Sequence, residues 1–323
     1  MSREVAMKEP ASPRHSRIIG LGEHRPARIM TNDDLPDTLE TNDEWIRQRT
    51  GIVSRCIAAD EETPVTMAVE ASRKALADSG VDPTQIGMVI LATCSMLQPI
   101  PGGSAQVATA IGAAGAGAFD LNAACAGFCY ALATASDAVR LGSVDYALVV
   151  GSEKLSNWID WTDRSSAILF GDGAGAVVIG PSDTPGIGPV VFGSDGSAAR
   201  LIDMSESDRL RLDGPAVFRW ATTKLGDVAL AICAAAGVEP ADLAAIIPHQ
   251  ANLRIINALV RQIGATDAVV AQDIAEAGNT SAASVPLALS RLRREGAVST
   301  GDLALTLAFG SGLTWAGQII TVP

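Results

Sequence analysis

A chain of 323 residues in which 48% are hydrophobic and only 19% are charged has apolar material for a large core and too little charge for a disordered protein. Its formal charge of -12 argues against nucleic acid as a general partner, because phosphate binding wants a basic surface. Five scattered cysteines, Cys56, Cys94, Cys125, Cys129 and Cys233, show neither metal-ligand spacing nor a disulfide framework; no metal is expected, and a reducing, cytoplasmic setting is.

Residues 1–15 are polar and lack the apolar run of a signal peptide, so they read as a flexible N-terminal extension. No later run is long enough to span a membrane, and no membrane partner is expected. The apolar runs 88–92, 147–150, 176–179, 245–247 and 303–307 predict buried strands. Between them, 68–79 and Leu253–Ile263 repeat apolar residues at three- and four-residue spacing, as amphipathic helices do, and Gly264 ends the second. Strands alternating with helices predict an α/β fold. With aromatics at only 4%, its layers must be packed with small side chains.

The chain also looks duplicated. Asp145-Tyr-Ala-Leu-Val-Val-Gly-Ser-Glu153 resembles Asp302-Leu-Ala-Leu-Thr-Leu-Ala-Phe-Gly310. Each follows a helix that opens at a corner of small and polar residues, Asn122-Ala-Ala-Cys125 in one case and Gly278-Asn-Thr-Ser281 in the other. Two related halves are expected to meet around residues 181–189.

The segment from Ala118 to Tyr130 carries the chemistry. A strand-like run ends near Asn122 and a helix begins at about Cys125. A cysteine there sits in the positive end of the helix dipole, beside N–H groups without intrahelical partners. Both features favour the thiolate, the nucleophilic form, and those N–H groups can also hold an oxyanion. The small neighbours Ala123, Ala124, Ala126 and Gly127 leave room for substrate. Cys129, one turn further on, reads as an ordinary buried cysteine. Of three histidines, His249 alone stands at a strand end before a helix, where α/β folds bind ligands. Asn279 opens the duplicated counterpart of the cysteine helix. It is either a helix cap or, if the halves pack symmetrically, a neighbour of Cys125. Pro286 falls in the helix that follows, an odd place for proline.

At these residues the sequence resembles the type III 3-ketoacyl-acyl carrier protein synthases of the thiolase superfamily. The matching motifs run in order: Thr41-Asn-Asp-Glu-Trp-Ile46, Arg49-Thr-Gly51, Ala123-Ala-Cys-Ala-Gly127, Phe170-Gly-Asp-Gly-Ala-Gly175, Pro248-His-Gln-Ala-Asn-Leu-Arg254 and Gly278-Asn-Thr-Ser-Ala-Ala-Ser284. The resemblance implies a five-layered α/β/α/β/α thiolase-like fold and a homodimer. Residues 16–185 would form the half carrying the cysteine and 186–323 the half carrying His249 and Asn279. It implies that Cys125 takes an acyl group from a coenzyme A thioester, and that a malonyl group on acyl carrier protein then loses carbon dioxide and attacks it. His249 and Asn279 would donate to the developing enolate, and the N–H groups of Cys125 and Ser311 to the acyl-transfer oxyanion. Relatives often have Gly at the Ser311 position, but a backbone donor survives that change. Trp45 and Arg164 would sandwich the adenine of coenzyme A, with Asn252 orienting a water near His249 in the same binding region. Met96, Leu97, Ile100, Leu155 and Phe309 would shape the acyl pocket, Ile100 reaching into the partner subunit. Arg219, Arg254 and Arg261 would form a basic patch for the acidic carrier protein. No cofactor is implied beyond the coenzyme A substrate.

Other readings fall away or stay open. Gly171-Asp-Gly-Ala-Gly-Ala176 has the glycines of a dinucleotide loop but runs into the apolar Val177-Val-Ile179, a strand and not a helix. A cysteine hydrolase shares the order Cys, His, Asn, but not the duplication. A non-catalytic partner subunit would have no need of all three residues. An acyltransferase that moves the acyl group to oxygen or nitrogen without decarboxylation shares every motif above.

Overall fold

The computed structural model describes residues 14–204 and 208–323. In chain order its first part holds β1 (His15–His24), β2 (Arg28–Thr31), α1 (Asp43–Thr50), β3 (Ser54–Ile57), α2 (Pro64–Ser79), β4 (Ile86–Ala92), α3 (Gly103–Ile111), β5 (Gly117–Leu121), α4 (Gly127–Arg140), β6 (Tyr146–Glu153), α5 (Arg164–Ala167) and β7 (Gly173–Ser182). The second part holds β8 (Val191–Ser194), β9 (Ile202–Asp203), β10 (Arg211–Leu212), α6 (Gly214–Ala236), β11 (Ala245–Pro248), α7 (Leu253–Ile263), β12 (Val269–Val270), α8 (Ile274–Ala277), α9 (Ser284–Arg294), β13 (Leu303–Gly310) and β14 (Thr314–Thr321). All five predicted strands and both predicted helices are present, α7 with the predicted bounds.

Two five-stranded sheets organise these elements, in the orders β1-β7-β6-β4-β5 and β8-β14-β13-β11-β12. In each, the three strands at one end run parallel and the two at the other run antiparallel. The first sheet therefore maps onto the second strand for strand, with β6 on β13 as the repeated sequence predicts. Helices α4 and α9 lie between the sheets, in one core with Ile90, Val149 and Val177 of the first and Ile247, Ala304 and Ile320 of the second. Helices α2 and α3 cover the outer face of the first sheet, and α6 and α7 that of the second. The result is the expected five layers. Strands covered on both faces need apolar residues without alternation, which is why 147–150 and 176–179 are continuous runs.

Two expectations change. His15 is the first residue of β1, opposite Ser182. Arg14 donates to the carbonyls of Val139 and Val144 and to Asp145. These two residues therefore belong to the folded body, and the rest of the expected extension lies outside the described residues. Pro286 is the third residue of α9, within the first turn, where a backbone N–H has no intrahelical acceptor to lose. Its ring packs on β7, where a Cβ at Gly175 would come within 2.7 Å of the Pro286 Cβ.

Candidate active site

The two corners singled out in the sequence have the same backbone. Residues 124–126 and 281–283 each form one 3-10 turn that leads into a central helix, α4 or α9. The first residue of each turn has positive φ, 47° at Ala124 and 48° at Ser281. Asn122 Oδ1 accepts from the N–H of Ala124 at 3.1 Å, and Asn279 Oδ1 accepts from that of Ser281 at 2.9 Å. The side chain bonds its own backbone two residues on and steadies the turn. Cys125 thus stands in a 3-10 turn just ahead of α4, a slightly earlier place than expected.

A cavity of about 300 Å³ opens between the corners, lined by Cys125, His249 and Asn279 together with Phe309, Gly310 and Ser311. The end of β13 presses so closely on Cys125 that a Cβ at Gly310 would lie 2.5 Å from the Cys125 nitrogen. Only glycine fits there. The side chain of Ser311 turns away, its hydroxyl donating to the Ile202 carbonyl.

His249 follows β11 and is buried, with its ring edge-on to Phe309. Its Nδ1 lies 2.7 Å from Ser284 Oγ, which also accepts from the Gln250 N–H at 3.4 Å. The Ser284 hydroxyl can give its proton to Nδ1, and in that tautomer Nε2 carries the ring N–H. Burial pushes the imidazole down to about 3, so His249 is neutral at physiological pH. Asn279 is buried and held by the loop before β7, through Asn279 N–H to Leu169 O and Gly171 N–H to Asn279 O. Because Oδ1 is taken by Ser281, the donor end of its amide is left for the cavity.

The thiol does not behave as its helix position suggests. Burial pushes Cys125 up to about 12, with the Ser281 hydroxyl acting in the opposite direction and the Glu153 carboxylate adding to the rise. In the resting protein Cys125 is a thiol, because desolvation outweighs the helix end.

Trp45 and Arg164 face each other, the guanidinium carbon 5.1 Å from the ring centre, with Arg49 at 5.6 Å from the same ring. A flat base between Trp45 and Arg164 would require them to part. Asn252 lines the cavity, but its Oδ1 accepts from the Arg254 N–H and its Nδ2 donates to the Arg49 carbonyl. Arg219, Arg254 and Arg261 are exposed on the adjoining α6 and α7, and none has an ion pair among the described residues. Leu155 and Phe309 line the cavity as expected; Met96, Leu97 and Ile100 do not. The chain leaves the sheet after β4, and this loop carries Leu97 and Ile100 to the surface, 65% and 82% exposed. Among the described residues no cluster of His, Cys, Asp or Glu is arranged for a metal, and no helix is long and apolar enough to cross a membrane.

Sequence reasoning missed several groups. Glu153 is fully buried at the end of β6, and Cys94 and Ser281 line the cavity beside it. The one signal was an acidic residue ending an apolar strand. Trp158, Leu210, Leu212 and Phe218 complete the wall from distant loops, β10 and α6, and no local pattern marked them.

Family models for 3-oxoacyl-[acyl-carrier-protein] synthase III match residues 119–196 and, for its C-terminal part, 233–322. The chain is 49% identical over 314 residues to beta-ketoacyl-[acyl-carrier-protein] synthase III 4 of Streptomyces coelicolor, covering 95% of this chain and 99% of that protein. It is 45% identical over 322 residues to the Streptomyces glaucescens synthase III, covering 96% and 97%. Among solved structures, the priming β-ketosynthase of the R1128 polyketide pathway superposes with a TM-score of 0.95 at 45% identity, covering 99% of both chains. The synthase III of Aquifex aeolicus gives 0.91 at 40% identity, over 95% of this chain and 99% of that one. With the duplicated fold and the shared cavity, this places the chain in the 3-oxoacyl-[acyl-carrier-protein] synthase III family of acyl-transferring condensing enzymes.

Proposed function

We propose that the cavity condenses a short acyl-coenzyme A starter with malonyl-acyl carrier protein, giving 3-ketoacyl-acyl carrier protein, carbon dioxide and coenzyme A. Cys125 attacks the thioester carbonyl, the oxyanion is received by the N–H groups of Cys125 and Ser311, and the C–S bond to coenzyme A breaks. Malonyl thioester then enters beside the acyl-cysteine. Its C–C bond to the carboxylate breaks, carbon dioxide leaves, and negative charge gathers on the thioester oxygen. His249 Nε2–H and the Asn279 amide are donors of the kind that charge requires, and neither adds a formal charge to the cavity. The enolate carbon then attacks the acyl carbonyl and frees Cys125. Such a reaction initiates fatty acid or polyketide synthesis.

The observation that carries this reading is the meeting of Cys125 from one half with His249 and Asn279 from the other in one cavity. The Trp45–Arg164 pair is the proposed grip on adenine, and Arg219, Arg254 and Arg261 the proposed landing for an acidic carrier protein. No cofactor is needed, since the coenzyme A thioester is a substrate. We read the working unit as a homodimer. Strand β5 is an open sheet edge with Phe119 exposed on it, and Leu97 and Ile100 are large apolar side chains left in water. Met96 with these two would complete the acyl pocket across that interface. Five free cysteines suit a reducing cytoplasm.

The test supplies the protein with labelled short acyl-coenzyme A thioesters, then malonyl-acyl carrier protein, beside a Cys125→Ala control. Label on Cys125 that chases into a 3-ketoacyl product with release of carbon dioxide is the expected result. Label transferred without carbon dioxide would replace condensation with plain acyl transfer to oxygen or nitrogen.

A further inference from the structure

Condensation as proposed above needs His249 to offer a ring N–H to the cavity, and a neutral imidazole has two places to carry that proton. The backbone around the ring is fixed on both sides. The His249 N–H donates to the Leu307 carbonyl at 2.7 Å, and the ring stands edge-on to Phe309. Gln250 is buried behind it, its Nε2 donating to the carbonyls of Pro248 at 2.7 Å and Ala271 at 3.2 Å and its Oε1 accepting from the Ile274 N–H at 3.0 Å. None of these hydrogen bonds reaches a ring nitrogen. Among the described residues the group that does is Ser284 Oγ, 2.7 Å from Nδ1, which leaves Nε2 for the cavity that His249 lines.

Ser284 has no exposure to solvent. Among the described residues its hydroxyl has two hydrogen-bonding neighbours, His249 Nδ1 and the Gln250 N–H. The Gln250 N–H can only donate. If Nδ1 donated as well, Oγ would accept twice and its own proton would be buried without an acceptor, a state that folded proteins avoid. If Nδ1 accepts, all three groups are satisfied and the ring N–H falls on Nε2. That tautomer is also the one the chemistry needs. With the proton on Nδ1, Nε2 would turn a lone pair toward the oxygen on which negative charge gathers.

We propose that Ser284 is a positioning residue for condensation: it accepts from Gln250, donates to Nδ1 and so holds His249 as the Nε2–H tautomer that donates to the malonyl thioester. The proposal rests on the condensation reading. Ser284 is not part of the cavity wall, so it acts through the ring. It is the first residue of α9, and the turn before it starts at Ser281, whose N–H holds Asn279 by Oδ1. One helix start therefore orients both donors, the amide through its oxygen and the imidazole through Nδ1, and adds no charge. The duplicated half supplies the control. There the first residue of α4 is Gly127, and a Cβ built on it would lie 3.3 Å from the Cβ of Ala92, the last residue of β4. Hydroxyl and imidazole occur together in the half that holds the donors and are both absent from the other. The same corner folds without either.

The ring proton is read directly by nitrogen NMR of protein with isotope-labelled histidine, the His249 signals being those lost in His249→Gln. The unaltered protein is expected to show one tautomer, protonated at Nε2. In Ser284→Ala the Nδ1–H form is expected to appear. The kcat for decarboxylation of malonyl-acyl carrier protein should fall about 10–10²-fold with little change in KM. Single-turnover acylation of Cys125 should stay within a few-fold of the unaltered rate. Ser284→Thr keeps the hydroxyl and should restore both tautomer and rate. A residue that served packing alone would weaken the fold without moving the ring proton. Nδ1–H in the unaltered protein overturns the proposal without any variant, and so does a Ser284→Ala protein that keeps either the tautomer or the rate. An unaltered protein that takes label on Cys125 but releases no carbon dioxide sinks the condensation reading instead. The tautomer is read without turnover, so the two failures are told apart.

Discussion

The corner at Cys125 and the corner at Ala282 share a fold and divide a task. Each has the Asn, the positive-φ residue and the 3-10 turn that leads into a central helix. Across the interface, each meets the end of a central strand from the other half. Facing Cys125 the strand ends in Gly310, which leaves the Cys125 N–H a place for a substrate oxygen. Facing Ala282 the strand ends in Glu153, and its Oε1 accepts from the Ala282 N–H. The second corner thus already holds a negative oxygen where the first would receive one transiently. Duplication supplied two candidate oxyanion sites. One stayed open beside Cys125, while the other was closed by the internal carboxyl of Glu153. His249 similarly stands where the first half has Ala92, so one cavity is lined by Cys125 from one half and by His249 and Asn279 from the other.

The largest effect that would sharpen this comparison comes from Asn279→Ala. Removing a donor from a developing oxyanion costs about 10²–10³ in rate, so condensation is expected to fall by that much. Single-turnover acylation of Cys125 should stay within a few-fold of the unaltered rate. If both steps fall together, the division of labour between the corners is wrong. A smaller effect is expected from Gly310→Ala, whose Cβ would press on the Cys125 nitrogen. Overpacking of this kind costs about 1–3 kcal/mol, to be read from chemical denaturation, and acylation should slow while malonyl decarboxylation is better preserved. Equal loss of the two steps would mean that Gly310 serves packing alone. The smallest effect is the most telling for His249. Held neutral by burial, it should leave the decarboxylation rate nearly unchanged from about pH 8 down to about pH 5. Protonation sets in only as pH falls toward the depressed value of about 3. A loss of rate centred near the ordinary histidine value would show that the ring is solvated in the working enzyme.

Much of this was legible in the chain. Continuous apolar runs gave the buried strands, because a strand covered on both faces has no polar side to show. The spacing in α7 gave its bounds. The repeated strand gave two halves, and the small residues around Cys125 marked a corner open to substrate. Where the reading slipped, a long-range contact had intervened. The resting thiol of Cys125 owes its protonation to burial and to Glu153, which its own helix does not reveal. Leu97 and Ile100 look like pocket residues in sequence and stand in water in the single chain, since the loop after β4 turns outward. Asn252 spends its amide on Arg49 and Arg254.

The sequence by itself determined the periodicity and the duplication, and singled out Cys125, His249 and Asn279, which line one cavity; all of these come from local or self-similar patterns. Only the tertiary structure decided which distant groups meet: Ser284 bonded to His249 within the second half, Gly310 close against the Cys125 nitrogen and Ser281 bonded to Glu153 across the halves. Those pairs lie far apart in the chain and are joined by sheets packing on shared helices. Protonation states follow from such pairs and from burial, and neither is written in any one segment.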